Sequence, residues 1–98
     1  VCSSDLDAAR LMCWEVIDGR VKKKAPSALT NMARYAMVSS DRQVCDFLGE
    51  FLHDELMSNE DKVIGAAYRR TNSSGIAAGA GEIQLNLVAR NELQLPRD

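Results

Sequence analysis

The sequence predicts an all-α fold, an antiparallel helical bundle with short connections. Two observations carry that prediction. Apolar residues recur at three- and four-residue steps in most of the 98-residue chain. The punctuating residues Gly19, Pro26, Gly49 and Gly75 fall between those periodic stretches. Taken in order, the first helix is expected over about Asp5–Asp18, with Leu6, Ala9, Cys13, Val16 and Ile17 inward and Gly19 as a left-handed cap. Arg20–Lys24 reads as a basic connector, and Lys22, Lys23 and Lys24 as a solvated loop. Pro26 and Ser27 signal the start of a second helix running to Leu48. Its broad buried face comprises Leu29, Ala33, Ala36, Met37, Ser40, Val44, Phe47 and Leu48, with Gly49 ending or bending it. Glu50–Asn59 reads as an irregular turn with room for a helical piece. A third helix follows over about Asn59–Arg70, with Val63, Ile64, Ala67 and Tyr68 inward. Thr71–Gly75 is a polar break, and the last helix starts near Gly81 or Glu82 with Ile83, Leu87 and Val88 inward.

Composition narrows the function classes. Hydrophobic residues make up 46% and charged residues 27%, with a net charge of −2, so the chain reads as ordered and globular. A near-neutral charge and only 5% aromatic residues argue against a nucleic-acid binder. No apolar run approaches the length of a membrane span. Cys2, Cys13 and Cys45 are odd in number and lack a C-x-x-C spacing, which favours a reducing cytoplasm over a disulfide framework or zinc site. Val1-Cys2-Ser3-Ser4-Asp5-Leu6 looks like a translated sequencing adapter, so residues 1–6 are expected to be a non-native leader and residues 7–98 the natural domain. Ser3, Ser4 or Asp5 is equally a reasonable helix cap. Helices this amphipathic need other surfaces to pack on, so further domains or partner subunits are expected.

The most informative stretch is Gly75-Ile76-Ala77-Ala78-Gly79-Ala80-Gly81-Glu82-Ile83-Gln84. Gly79 and Gly81 permit positive φ and close approach of a ligand. The helix that follows presents unpaired N–H groups and a partial positive charge, suited to a phosphate, carbonyl or ring oxygen. A flexible turn is the competing reading. It is not a dinucleotide fingerprint, because the third glycine of G-x-G-x-x-G would fall at Gln84 and no strand precedes it.

Continued through Leu85-Asn86-Leu87-Val88-Ala89-Arg90, this run resembles the C-terminal signature of the acyl-CoA dehydrogenases, approximately T-I-x-x-G-T-S-E-I-Q-R-N-I-I-A-R. Looser similarity lies upstream, at Ala8-Ala9-Arg10-Leu11 with Asp18-Gly19, at Leu48-Gly49 and at Tyr68-Arg69-Arg70, and downstream at Leu95-Pro96-Arg97. The resemblance implies the C-terminal helical domain of an FAD-dependent subunit that α,β-dehydrogenates an acyl-CoA thioester. In such enzymes a base takes the α-proton and the flavin takes the β-hydrogen as hydride. It implies a homo- or hetero-oligomer, dimer or tetramer, of like subunits. It places Ala80, Gly81 and Glu82 beside the flavin, Ala78 and Gly79 beside the thioester, and Leu48 and Gly49 in a turn reaching the FAD of a neighbouring subunit.

Three departures from the pattern matter. Ala80 replaces the usual hydroxyl residue, and Glu50 replaces the second glycine after Leu48. Ala78 stands where many members carry the catalytic glutamate, and alanine cannot be a general base. No catalytic residue is therefore expected here; the base would lie on an earlier helix, or the subunit would be a catalytically silent member of a heteromeric assembly. An unrelated helical binding module is the third reading. Glu50 and His53 form an E-x-x-H pair, but His53 is the chain's only histidine, so no metal site is expected.

Overall fold

The structure is a computed structural model describing residues 3–58, 62–77 and 80–96. It is all-helical, with no strand among the described residues. The elements are α1 (Ser3–Val21), α2 (Leu29–Phe51), α3 (His53–Met57), α4 (Ile64–Ser74) and α5 (Gly81–Asn91).

The helix ends differ from the sequence expectation for identifiable reasons. α1 opens at Ser3, inside the segment read as a leader, and runs through Gly19 to Val21. The left-handed residue at its end is Lys23, with φ 54°. Lys24 N–H donates to the Gly19 carbonyl at 2.9 Å and Lys23 N–H to that of Arg20 at 3.1 Å. That pair of bonds is the Schellman closure, so Gly19 provides an acceptor in the last turn rather than the cap itself. Lys22 pairs with Asp18 at 2.8 Å across this turn, an exposed i,i+4 contact worth a few tenths of a kcal/mol at most.

At the start of α2 the Ser27 hydroxyl accepts the Leu29 N–H at 3.2 Å, from one position before the cap residue Ala28. α2 does not end at Gly49. The Phe47 and Phe51 rings, one turn apart with centroids at 5.0 Å, bridge the glycine, and Leu52 N–H closes onto the Leu48 carbonyl at 2.7 Å. Thr71–Ser74, expected as a polar break, is the last turn of α4. The hydroxyls of Thr71, Ser73 and Ser74 turn back onto the carbonyls of Ala67, Arg70 and Thr71 at 2.9–3.0 Å. Self-satisfied in this way, they stop competing for the helix backbone.

α2 is the axis of the molecule. It touches α1, α3, α4 and α5, and among the described residues the one other helix–helix contact is α3 with α4. α1 lies antiparallel along one face of α2, with Ala9 opposite Ser40 and the Cys13 thiol 3.0 Å from the Met37 sulfur. α4 and α5 follow one another down a second face, both antiparallel to α2. Cys45 Sγ lies 3.2 Å from Thr71 Oγ1, and further back along α2 the Asn31 amide donates to Gln84 Oε1 at 2.7 Å.

That second face consists of Asn31, Arg34, Tyr35, Val38, Arg42 and Cys45, at helical spacing but largely polar. Hydrophobic periodicity therefore selects the other side of α2, where Met37, Phe47 and Leu48 remain exposed. Ile17, Val63 and Ile83, also expected inward, are exposed, and on α5 the buried residue is Gln84. Ala9, Ala28 and Ala33 are the buried apolar residues among those described, and no large side chain is fully enclosed.

Candidate functional site

α4 ends at Ser74, residues 75–77 turn, and α5 begins at Gly81. Against the polar face of α2 this segment encloses an open cleft of about 380 Å³. Tyr35, Val38, Ser39 and Arg42 form its α2 wall, Asn72 the α4 edge, and Gly75, Ile76, Ala80, Gly81 and Glu82 the opposite wall.

The α5 end of the cleft has a defined donor chemistry. Ala80 is the cap residue, extended at φ −61°, ψ 154°, and offers no side-chain acceptor. Its carbonyl takes the Gln84 N–H at 3.1 Å, which is the first bond of the helix. The N–H groups of Gly81, Glu82 and Ile83 consequently have no acceptor within α5, and the helix dipole adds partial positive charge there. Glu82 lies in the first turn with its side chain exposed. Tyr35 sets how close the chain can come: a Cβ on Gly81 would lie 3.5 Å from its ring, and one on Gly75 would lie 3.5 Å from Val38 Cγ1. Both are ordinary contacts, and neither glycine has positive φ. Gly81 does not use the positive φ that glycine permits, because it already lies in α5 and helical φ is negative.

The turn is held from α2. Arg34 Nη2 donates to the Ser74 carbonyl at 2.6 Å and also to the Ala77 carbonyl. Ser73 carbonyl accepts the N–H groups of both Ile76 and Ala77 at 3.1 Å.

The family model for the acyl-CoA dehydrogenase C-terminal domain matches residues 2–93. The chain belongs to the acyl-CoA dehydrogenase family. No curated protein and no solved structure matches it significantly.

Of the residues expected at the flavin of an acyl-CoA dehydrogenase, Ala80, Gly81 and Glu82 come together in the cleft. Ala78 and Gly79, expected at the thioester, lie outside the described residues. Leu48 and Gly49 do not line the cleft: Leu48 lies six residues, about 9 Å along α2, beyond Arg42, the last wall residue on that helix. They occupy a helix and not the expected turn, because the Phe47–Phe51 contact and the Leu52–Leu48 bond carry α2 past the glycine. Glu50 ends up near the close of α2 and His53 at the start of α3, with Leu52 between helices, so the E-x-x-H pair shares no helix. Among the described residues no group of three or more His, Cys, Asp or Glu could hold a metal.

Sequence reasoning missed Asn31, Arg34 and Tyr35. They lie off the apolar stripe of α2, and a polar residue that serves a distant backbone carbonyl leaves no periodic mark. Their three- and one-residue spacing on a helix was the available signal.

Proposed function

We propose that this domain forms one wall of the flavin site in a complete FAD-dependent subunit that α,β-dehydrogenates an acyl-CoA thioester. The supporting observation is the cleft at the start of α5, where unpaired N–H groups and a glycine meet an aromatic wall. These residues fit a flavin edge. The N–H groups of residues 81–83 suit ring oxygens, and the Tyr35 ring, packed against Gly81, provides a flat apolar side next to them. Bound flavin would supply the acceptor for the substrate's β-hydrogen. The chain's own contribution is to orient that group and the thioester oxygen through backbone donors.

No residue of this loop removes the α-proton, since Ala78 has no titratable group. The base is assigned to a helix preceding this domain. The same alanine favours a second reading, a catalytically silent subunit in a heteromeric assembly. Both readings place the protein in an oligomer of like subunits. The odd number of cysteines and the lack of a C-x-x-C spacing support a cytoplasmic location. No helix among the described residues is long and apolar enough to cross a membrane.

The test is spectroscopic. The complete subunit, purified, should carry flavin absorbance that bleaches under anaerobic acyl-CoA. A yellow protein that no acyl-CoA bleaches supports the silent-subunit reading. A colourless protein that takes up no added FAD rejects both.

A further inference from the structure

We infer that Arg34 is a positioning residue that sets where the chain leaves α4 and where α5 begins. The inference rests on reading the cleft as the flavin wall. One guanidinium nitrogen, Nη2, donates to the carbonyls of Ser74, the last residue of α4, and Ala77, the last described residue of the turn. Ser74 closes α4, where carbonyls lack helical partners and partial negative charge accumulates. A charged donor is well matched to that position, and its hydrogen bonds are stronger than neutral ones.

Both acceptors are backbone atoms, so Arg34 constrains the path of the chain irrespective of the side chains that the turn carries. Its neighbours on α2 brace the same segment, Val38 against Gly75 and Tyr35 against Gly81. Arg34 Nε is sealed from solvent with no hydrogen-bond partner. A buried unsatisfied donor is unfavourable, and an apolar side chain of similar length would fill the space without it. The two carbonyl contacts are therefore what the arginine adds beyond packing.

The experiment uses the complete subunit with Arg34→Met, which keeps an unbranched stem as far as the Nε position and loses the donors. Arg34→Lys provides a single nitrogen able to donate to both carbonyls. Amide exchange over residues 76–84 is compared with exchange in α1, and flavin affinity is measured in parallel. In Arg34→Met we expect exchange to rise selectively over residues 76–84 and flavin affinity to fall ~10–100-fold, with Arg34→Lys restoring most of both. Equal increases in α1 and in 76–84 would mark general destabilisation and overturn the inference. So would values for Arg34→Met within about twofold of wild type. Should Arg34→Met not fold, Arg34→Gln decides, its shorter neutral amide lacking the guanidinium's reach, with a selective rise in 76–84 exchange expected and none overturning the inference. A wild-type subunit that binds no flavin would defeat the functional reading alone; selective exchange in the variants would still establish the positioning role.

Discussion

Two residues are poorly matched to the backbone they occupy, and each gives a measurable prediction. Lys23 takes the left-handed position that closes α1, at φ 54°, where a Cβ is unfavourable and glycine is at ease. Lys23→Gly should stabilise the domain by about 0.5–1 kcal/mol, read as a raised denaturation midpoint. Ala80 caps α5 in extended backbone with no side-chain acceptor. Ala80→Ser should stabilise by about 1 kcal/mol through a hydroxyl bond to a first-turn N–H. That substitution also occupies one of the donors assigned to the flavin edge, so its effect on flavin affinity in the complete subunit reports whether those donors are used. Asn31 was not marked by any sequence pattern and Gln84 only as part of the signature, yet their 2.7 Å bond joins α2 to α5. Gln84→Leu leaves the Asn31 amide without this partner and should destabilise by about 1–3 kcal/mol in urea unfolding.

At the scale of elements, the four longer helices and the position of α5 were legible because they depend on local periodicity and on the turn chemistry around Gly75, whereas the short α3 lies in the stretch read as an irregular turn with room for a helical piece. The ends were less so. Gly19 and Gly49 mark stops in a sequence, but a glycine in a helix is unfavourable by only about 1 kcal/mol, which a single further packed turn outweighs. Gly19 is a direct case. It lies within α1, and a Cβ there would meet nothing within 4 Å. Gly19→Ala should therefore extend helical stability by about 0.5–1 kcal/mol, checked by thermal melts monitored by circular dichroism. Had the chain turned at Gly19 as its sequence suggests, the same substitution would destabilise it. Thr71–Ser74 gives the opposite lesson: three hydroxyl residues read as a break stay helical, with their hydroxyls bonded to carbonyls of the preceding turn.

The whole molecule exposes more surface than its size requires. Its accessible area is 7556 Å², against about 5500 Å² for a compact monomer of that mass. The radius of gyration is 16.0 Å, against about 13 Å for a compact domain of this length. Trp14 and Val21 on α1 are 64% and 75% exposed, and Val63 ahead of α4 is 79% exposed. Expressed by itself, the 98-residue chain should bind a hydrophobic dye and self-associate in sedimentation experiments; a monodisperse monomer that does not bind the dye would contradict this. This agrees with the expectation, drawn from helix amphipathicity, that these faces need further surface to cover them.

What the sequence determined by itself is the helical class, the family, and the loop-to-helix junction near Gly81, because each is written in local periodicity or in a contiguous motif. What only the tertiary structure decided is which face of α2 that junction meets. Apolar spacing pointed to the stripe through Ala33, Met37 and Ser40, which takes up α1. The cleft forms on the other side, along Tyr35 with Arg34 holding its turn, and their roles depend on carbonyls and a glycine forty or more residues away in the chain. Local pattern cannot encode a hydrogen bond to a distant backbone oxygen; the fold has to bring the two together first.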